Sequence, residues 1–205
     1  MEEKWLTWAK KIQAIAQSGL AYTDNKYDID RYEQLRSLSV EIMQHYTEAG
    51  EEKIRDLFCC ETGYQTPKVD VRGAIFKDDQ ILLVKESIDG CWSMPGGWAD
   101  IGLSVKENII KEAREEAGMD VEPFKLVGVY DWARATDLPN PFAIYKIVML
   151  CHPIGGSYET NIETEDAKYF SLDELPPISK GRTTAALIQQ CYSALKDKNY
   201  VPITE

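Results

Sequence analysis

Apolar positions change period near residue 64 of this 205-residue chain. Ahead of that point they recur at helical spacing. Trp5, Trp8, Ile12, Ile15 and Ala16 form one stripe with Gly19 as its stop. Tyr32, Leu35, Leu38, Ile42 and Tyr46 form a second, capped by Asp28 or Asp30 and ended by Gly50, and Ile54, Leu57 and Phe58 suggest a third short helix. Both stripes read as core. A helical hairpin this small cannot bury both alone, so it is expected to pack on the rest of the chain or on a second subunit. The segment Glu61–Pro67 reads as a linker, and beyond it the pattern becomes strand-like. Val69, Val71, Ala74 and Phe76 open a strand, Asp78-Asp79 turns, and Ile81–Val84 returns. Further strands are expected over Phe124–Trp132, Phe142–Leu150 and Lys168–Ser171, with a loop through Thr136–Pro141. A last helix from Thr183 to Leu195 turns Ala186, Ile188, Cys191 and Leu195 inward.

Between these strands lies GGWADIGLSVKENIIKEAREEAGM, residues 96–119. Ser104 followed by Glu107 is a capping box, Ile109, Ile110, Ala113 and Ala117 supply an apolar stripe, and Gly118 suits the left-handed position that ends a helix. Glu112, Glu115 and Glu116 stand at i, i+3 and i+4, on one face. Like charges at that spacing repel by roughly 0.2–0.5 kcal/mol per pair, and a hard divalent cation with oxygen ligands relieves the repulsion.

This loop and helix resemble the Nudix box, G-x5-E-x7-R-E-U-x-E-E-x-G-U with U aliphatic. The glycine falls on Gly97, and the second block reads Lys111-Glu112-Ala113-Arg114-Glu115-Glu116-Ala117-Gly118-Met119. Two positions depart, with Leu103 in place of the first glutamate and Lys111 in place of the arginine. Losing the acid and softening the base together strands no charge, and Lys111 can pair with Glu107 or Glu115. Trp92-Ser93-Met94-Pro95-Gly96-Gly97 is similar to the strand-to-loop entry of the same family.

The resemblance implies an α/β fold: a Nudix α/β/α sandwich with a mixed sheet over residues 64–205, preceded by a small helical domain over residues 1–63 that serves dimerisation or closes over substrate. A Trp-containing helical appendage ahead of GGWADIGLS resembles one bacterial branch, whose members hydrolyse nucleoside diphosphates linked to another moiety X. The implied activity is cleavage of that pyrophosphate, with CDP-choline giving CMP and phosphocholine as the first expectation. ADP-ribose and sugar nucleotides are the alternatives, and a non-catalytic nucleotide sensor is the reading from a different class. Mg²⁺, or Mn²⁺, would neutralise the phosphate oxygens and lower the pKa of the attacking water. Glu112, Glu115 and Glu116 with the Gly96 carbonyl would hold it, and Glu115 and Glu116 are also named as catalytic. The general base is sought in the acidic segment Glu163-Thr164-Glu165-Asp166, with Glu163 preferred. Arg72 is a candidate for a substrate phosphate and Trp132 for a nucleobase.

Composition narrows the partners. The chain carries 23 basic and 34 acidic residues, a formal charge of −11. That disfavours non-specific nucleic-acid binding, leaving RNA ends a minor substrate, but not a small phosphorylated one. No run is apolar enough to span a membrane and the N-terminus lacks a signal-peptide layout, so a cytoplasmic protein is expected, with the helical domain pointing to a homodimer. The five cysteines include no C-x-x-C and read as reduced structural thiols. His45 and His152 are assigned no chemistry.

Overall fold

A computed structural model describes residues 3–136 and 140–204. The chain divides into two compact units, residues 1–68 with 133–143, and residues 69–132 with 144–205.

The first unit is helical: α1 spans Lys4–Tyr22, α2 Lys26–Tyr46 and α3 Glu51–Phe58. Its core gathers Leu6, Ala9, Val40, Met43, Ile54 and Phe58. The expected stripes are rotated. Leu6, Ala9, Gln13 and Ala16 face inward on α1, while Trp8 and Ile15 are exposed. On α2 the buried positions are Ser39, Val40 and Met43, with Leu38 and Tyr46 largely outside. Gly19 does not stop α1. It lies inside the helix, where a Cβ would fall 2.3 Å from the ring of Tyr32, so the missing side chain lets α2 approach. Asn25, not Asp28 or Asp30, caps α2 by accepting the Tyr27 amide, and Gly50 precedes α3 instead of ending α2. Residues 140–143 belong to this unit, where Lys10 Nζ donates to the carbonyls of Asn140 and Phe142.

The second unit is the α/β domain. Its strands are β1 (Lys68–Lys77), β2 (Gln80–Glu86), β3 (Trp92–Ser93), β4 (Met119–Asp131), β5 (Ile144–Gly156), β6 (Thr164–Phe170) and β7 (Ile203–Thr204). Among the described residues they form one mixed sheet in the order β3-β2-β1-β5-β4-β7, with β6 antiparallel to β2 and β7 parallel to β4. β1 and β2 make the expected hairpin, with both turn residues, Asp78 and Asp79, at positive φ. The strands on either side of the 133–143 insertion are longer than their apolar runs, because β4 and β5 pair along nearly their whole length.

The helices of this unit are α4 (Val105–Ala117) and α6 (Ala185–Lys196), while the short α5 (Trp132–Ala135) falls, from Ala133 on, within the first unit. Ile109, Ala113 and Ala117 of α4 close a core with Val71, Ile75, Leu82, Val84, Val121, Met149 and Cys151. Phe76 of β1 meets Tyr192 of α6. Leu187, Ile188, Cys191 and Ala194 are the inward residues of α6, while Ala186 is exposed. Thr184 caps α6 through the Leu187 amide. None of the five cysteines is bonded to another, and burial pushes the Cys151 thiol up to about 12. His152 stacks on Phe124. Among the described residues no helix is long and apolar enough to cross a membrane.

Candidate active site

Helix α4 starts and stops as its sequence dictates. Ser104 accepts the Glu107 amide while Glu107 accepts the Ser104 amide, and Gly118 sits at φ 65°, where a Cβ would lie 2.1 Å from the Ser157 carbonyl. Asn108 was not singled out by the sequence. It accepts the Asp100 amide and donates to the carbonyls of Leu103 and Ser104, so one buried side chain shapes the loop before the helix. Ile110, expected inside, is 41 % exposed.

With these ends fixed, Glu112 and Glu116 turn inward and are 8 % and 5 % exposed, whereas Glu115 faces solvent. The Gly96–Gly97 backbone receives both. Glu116 Oε2 accepts the Gly96 amide at 2.8 Å, and a Cβ on Gly97 would lie 3.1 Å from Glu112 Oε2. Gly96, at φ 140°, leaves no room for a side chain, since a Cβ there would fall 2.0 Å from the Val71 carbonyl. Pro95 and Gly97 accept the amides of Gly73 and Val71, which fastens the loop to β1.

Electrostatics mark the same spot. Burial, with Glu86 and Glu112 adding to it, raises Glu116 to about 8, although Arg72 and the Gly96 amide oppose the shift. Burial raises Glu112 as well, reinforced by Glu115 and Glu163 and countered by Lys111. Glu86, on β2, is a carboxylate the sequence reading missed. It is 6 % exposed, accepts from Ser93 Oγ and lies 3.3 Å from Arg182 Nε. Lys111 reaches Glu115 at 2.6 Å, Asp100 at 3.3 Å and Glu112 at 3.4 Å, while Glu107 stays in its capping box.

Among the described residues no three His, Cys, Asp or Glu side chains stand as a finished metal cage. The donor chemistry nonetheless fits a hard cation. Glu86, Glu115 and Glu163 lie close enough to act on Glu112 and Glu116, burial and like charge hold those two above their ordinary pKa, and every donor is oxygen.

The acidic segment resolves into one loop residue and two strand residues. Glu165 and Asp166 lie on β6, where they pair with Lys85 and Lys168. Glu163 precedes the strand in a turn tied to α4: Thr164 Oγ1 and Asn161 Nδ2 both donate to the Glu116 carbonyl, and Asn161 Oδ1 accepts the amides of Glu163 and Thr164. Glu163 is exposed and close enough to Glu112 to raise its pKa.

Arg72 and Trp132, expected to meet substrate, are each 3 % exposed. Arg72 uses Nε and Nη2 on Asp70 and Nη1 on the Met94 carbonyl. Burial alone would raise Asp70, but Arg72 and Lys146 hold it below its usual value. Lys146 lies 2.8 Å from Asp70, donates to the Arg182 carbonyl and sits 4.3 Å from the centre of the Trp132 ring. Burial and the charge on Arg72 pull its ammonium below the lysine range. Trp132 Nε1 donates to Gly181, and Thr183 Oγ1 accepts the Met94 amide. Buried charges thus tie β1 and β5 to the loop at Met94 and to the strap at residues 181–183. Each of these side chains lies on a strand or loop whose neighbours come from distant sequence, which is why a linear pattern did not join them.

A sheet flanked by helices, with a carboxylate helix entered through a Gly-Gly loop, defines a Nudix hydrolase. Residues 66–191 match the NUDIX domain, and the chain belongs to that family. Residues 3–58 match a domain described as UDP-X-like, N-terminal oligomerisation domain, which places the chain in the branch with a helical appendage. YjhB of Bacillus subtilis (strain 168), whose name provisionally assigns it ADP-ribose pyrophosphatase activity, is 46 % identical over 196 residues, covering 96 % of this chain and 94 % of YjhB. A crystal structure of an ADP-ribose pyrophosphatase from Streptococcus suis 89-1591 is 43 % identical with a TM-score of 0.64, covering 68 % of this chain and all of that one. A UDP-X diphosphatase structure is 31 % identical with a TM-score of 0.60, covering 94 % and 96 %. The family and these relatives make the chain a pyrophosphohydrolase.

Proposed function

We propose that this protein hydrolyses the pyrophosphate of a nucleoside diphosphate linked to X, with ADP-ribose as the leading substrate, in the presence of Mg²⁺ and as a homodimer. The observation that carries the reading is the pair of buried carboxylates, Glu112 and Glu116, set against the Gly96–Gly97 backbone. Of the three relatives described above, two are named for ADP-ribose and one as a UDP-X diphosphatase. CDP-choline, the first expectation from the sequence, has no support among them.

Glu112 and Glu116 would hold the cation, with Glu115 released from Lys111 and the Gly96 carbonyl as further donors. A divalent cation bound there neutralises pyrophosphate oxygens and lowers the pKa of water. Glu163, poised on its turn beside Glu112, takes the proton from the attacking water. Glu86, gripped by Arg182 and Ser93, adds negative charge behind Glu116. Arg72 and Trp132 act through the loop and strap they hold, not by touching substrate.

The test is hydrolysis of ADP-ribose, UDP-glucose, CDP-choline, NADH and nucleoside triphosphates, with Mg²⁺ or chelator. Mg²⁺-dependent turnover of ADP-ribose by the parent, lost in Glu116→Gln, is expected. Preference for a triphosphate would overturn the substrate class. Nucleotide binding without turnover of any compound would favour a sensor.

A further inference from the structure

Helix α1 carries two heptad seams, and the fold uses one. Leu6, Ala9, Gln13 and Ala16 face the core of their own unit. The other seam is Lys4, Trp8, Lys11, Ile15, Ser18 and Tyr22, spaced by alternating steps of four and three. Its large apolar members stand in solvent: Trp8 is 58 % exposed, Ile15 61 % and Tyr22 78 %. Towards the end of α1 the seam opens into a groove of about 640 Å³, bounded by Ile15, Gly19, Tyr22, Tyr32 and Tyr64.

The spacing is symmetric. Trp8 and Tyr22 lie equally far from Ile15 along the helix, on one face. A two-fold axis through Ile15 that sets two such helices antiparallel therefore brings each Trp8 opposite a Tyr22. It also delivers each Trp8 to the end of the other helix that carries the groove. An isologous contact needs a surface complementary to itself, and a ring at one end with a groove at the other meets that need.

We propose that α1 pairs antiparallel with α1 of a second copy about Ile15, seating the partner subunit's Trp8 in the groove of Tyr22, Tyr32 and Tyr64. The proposal deepens the homodimer reading above and rests on it. Two observations favour a second copy as the occupant. The helices match a domain described as an oligomerisation domain. The area also fits: with about 150–250 Å² per aromatic side chain, Trp8, Ile15, Tyr22 and Tyr64 leave on the order of 400–500 Å² exposed. That is the apolar centre of an interface burying about 800 Å² per partner, with Lys4 at its end and the aliphatic stem of Lys11 lying across it to carry the ammonium out to water.

Sedimentation and light scattering of the full chain at micromolar concentration test this. The parent is expected to be a dimer, and Ile15→Glu a monomer of half the mass with unchanged helical content by circular dichroism. A monomeric parent would overturn the homodimer reading and this one together. A dimeric parent with Ile15→Glu still dimeric overturns only this face. Orientation is read by cysteine cross-linking, with the parent as control for native thiols. Trp8→Cys combined with Tyr22→Cys cross-links into a covalent dimer on mild oxidation. Trp8→Cys alone does not, since its two copies lie about 21 Å apart along the axis. Cross-linking by Trp8→Cys alone would show parallel helices and refute the arrangement.

Discussion

Lys146 Nζ lies 2.8 Å from Asp70 Oδ1, with the two side chains only 2 % and 9 % exposed. Asp70 also takes two bonds from the Arg72 guanidinium, so its loss strands two buried cations, whereas the loss of Lys146 leaves it paired. Asp70→Asn is therefore expected to cost about 3–5 kcal/mol and Lys146→Met less. Chemical denaturation checks both. Because the pair braces the strap and, through Arg72, the Met94 carbonyl, the folded Lys146→Met variant should still lose up to about 100-fold in kcat from misplaced loop atoms. Full activity in a stable Lys146→Met variant would make the network purely structural.

The box glutamates should separate by their surroundings. Glu112→Gln and Glu116→Gln, both buried against the Gly-Gly loop, are expected to lose at least about 100-fold in Mg²⁺-dependent hydrolysis. Glu115→Gln, exposed and paired with Lys111, should lose less. Steady-state kinetics over a Mg²⁺ titration measure this, and equal losses at all three would contradict the burial difference.

In the segment 163–166, Glu165 and Asp166 pair with Lys85 and Lys168, whereas Glu163 lies close enough to Glu112 to raise its pKa. Glu163→Gln should lower kcat by about 10²–10⁴-fold. Glu165→Gln and Asp166→Asn should leave kcat essentially unchanged. A wild-type kcat in Glu163→Gln would move the base elsewhere.

Stability without cation should fall with rising pH. Glu116, raised to about 8, keeps a proton in the folded chain that the unfolded chain gives up near 4.5. The folded state binds more protons between those values. That stabilisation is complete below about 4.5 and is lost as pH climbs through 8, at a slope of up to about 1.4 kcal/mol per pH unit. Thermal unfolding in chelator should show Tm dropping from pH 5 to 8. Saturating Mg²⁺ should shrink the drop, because it binds the deprotonated form. A pH-independent Tm in chelator would mean that Glu116 is ionised in the fold.

Local signals were the legible ones. Ser104, Glu107 and Gly118 are set by residues within one helix and stand where the sequence put them, while of the three glutamates Glu112 and Glu116 turn inward and Glu115 faces solvent. Glu86 and Lys146 were opaque, because their burial is decided by pairing between distant strands and by the strap at residues 181–183. The register of α1 failed for a different reason. Two apolar seams run along one helix, and periodicity cannot say which one a neighbouring helix takes. The substrate was less legible still, since Arg72 and Trp132, the two residues named for it, are both buried.

The turn that presents Glu163 hangs from the main-chain oxygen of Glu116, not from its carboxylate. The proposed cation ligand and the proposed base are thus mechanically coupled but genetically independent. Any residue compatible with the helix at position 116 offers the same oxygen to Thr164 and Asn161. An evolving chain can abandon the cation and keep the station of the base, or lose the base and keep the cation, without dismantling the other. A fold wired in this way can move from a hydrolase to a binder one substitution at a time.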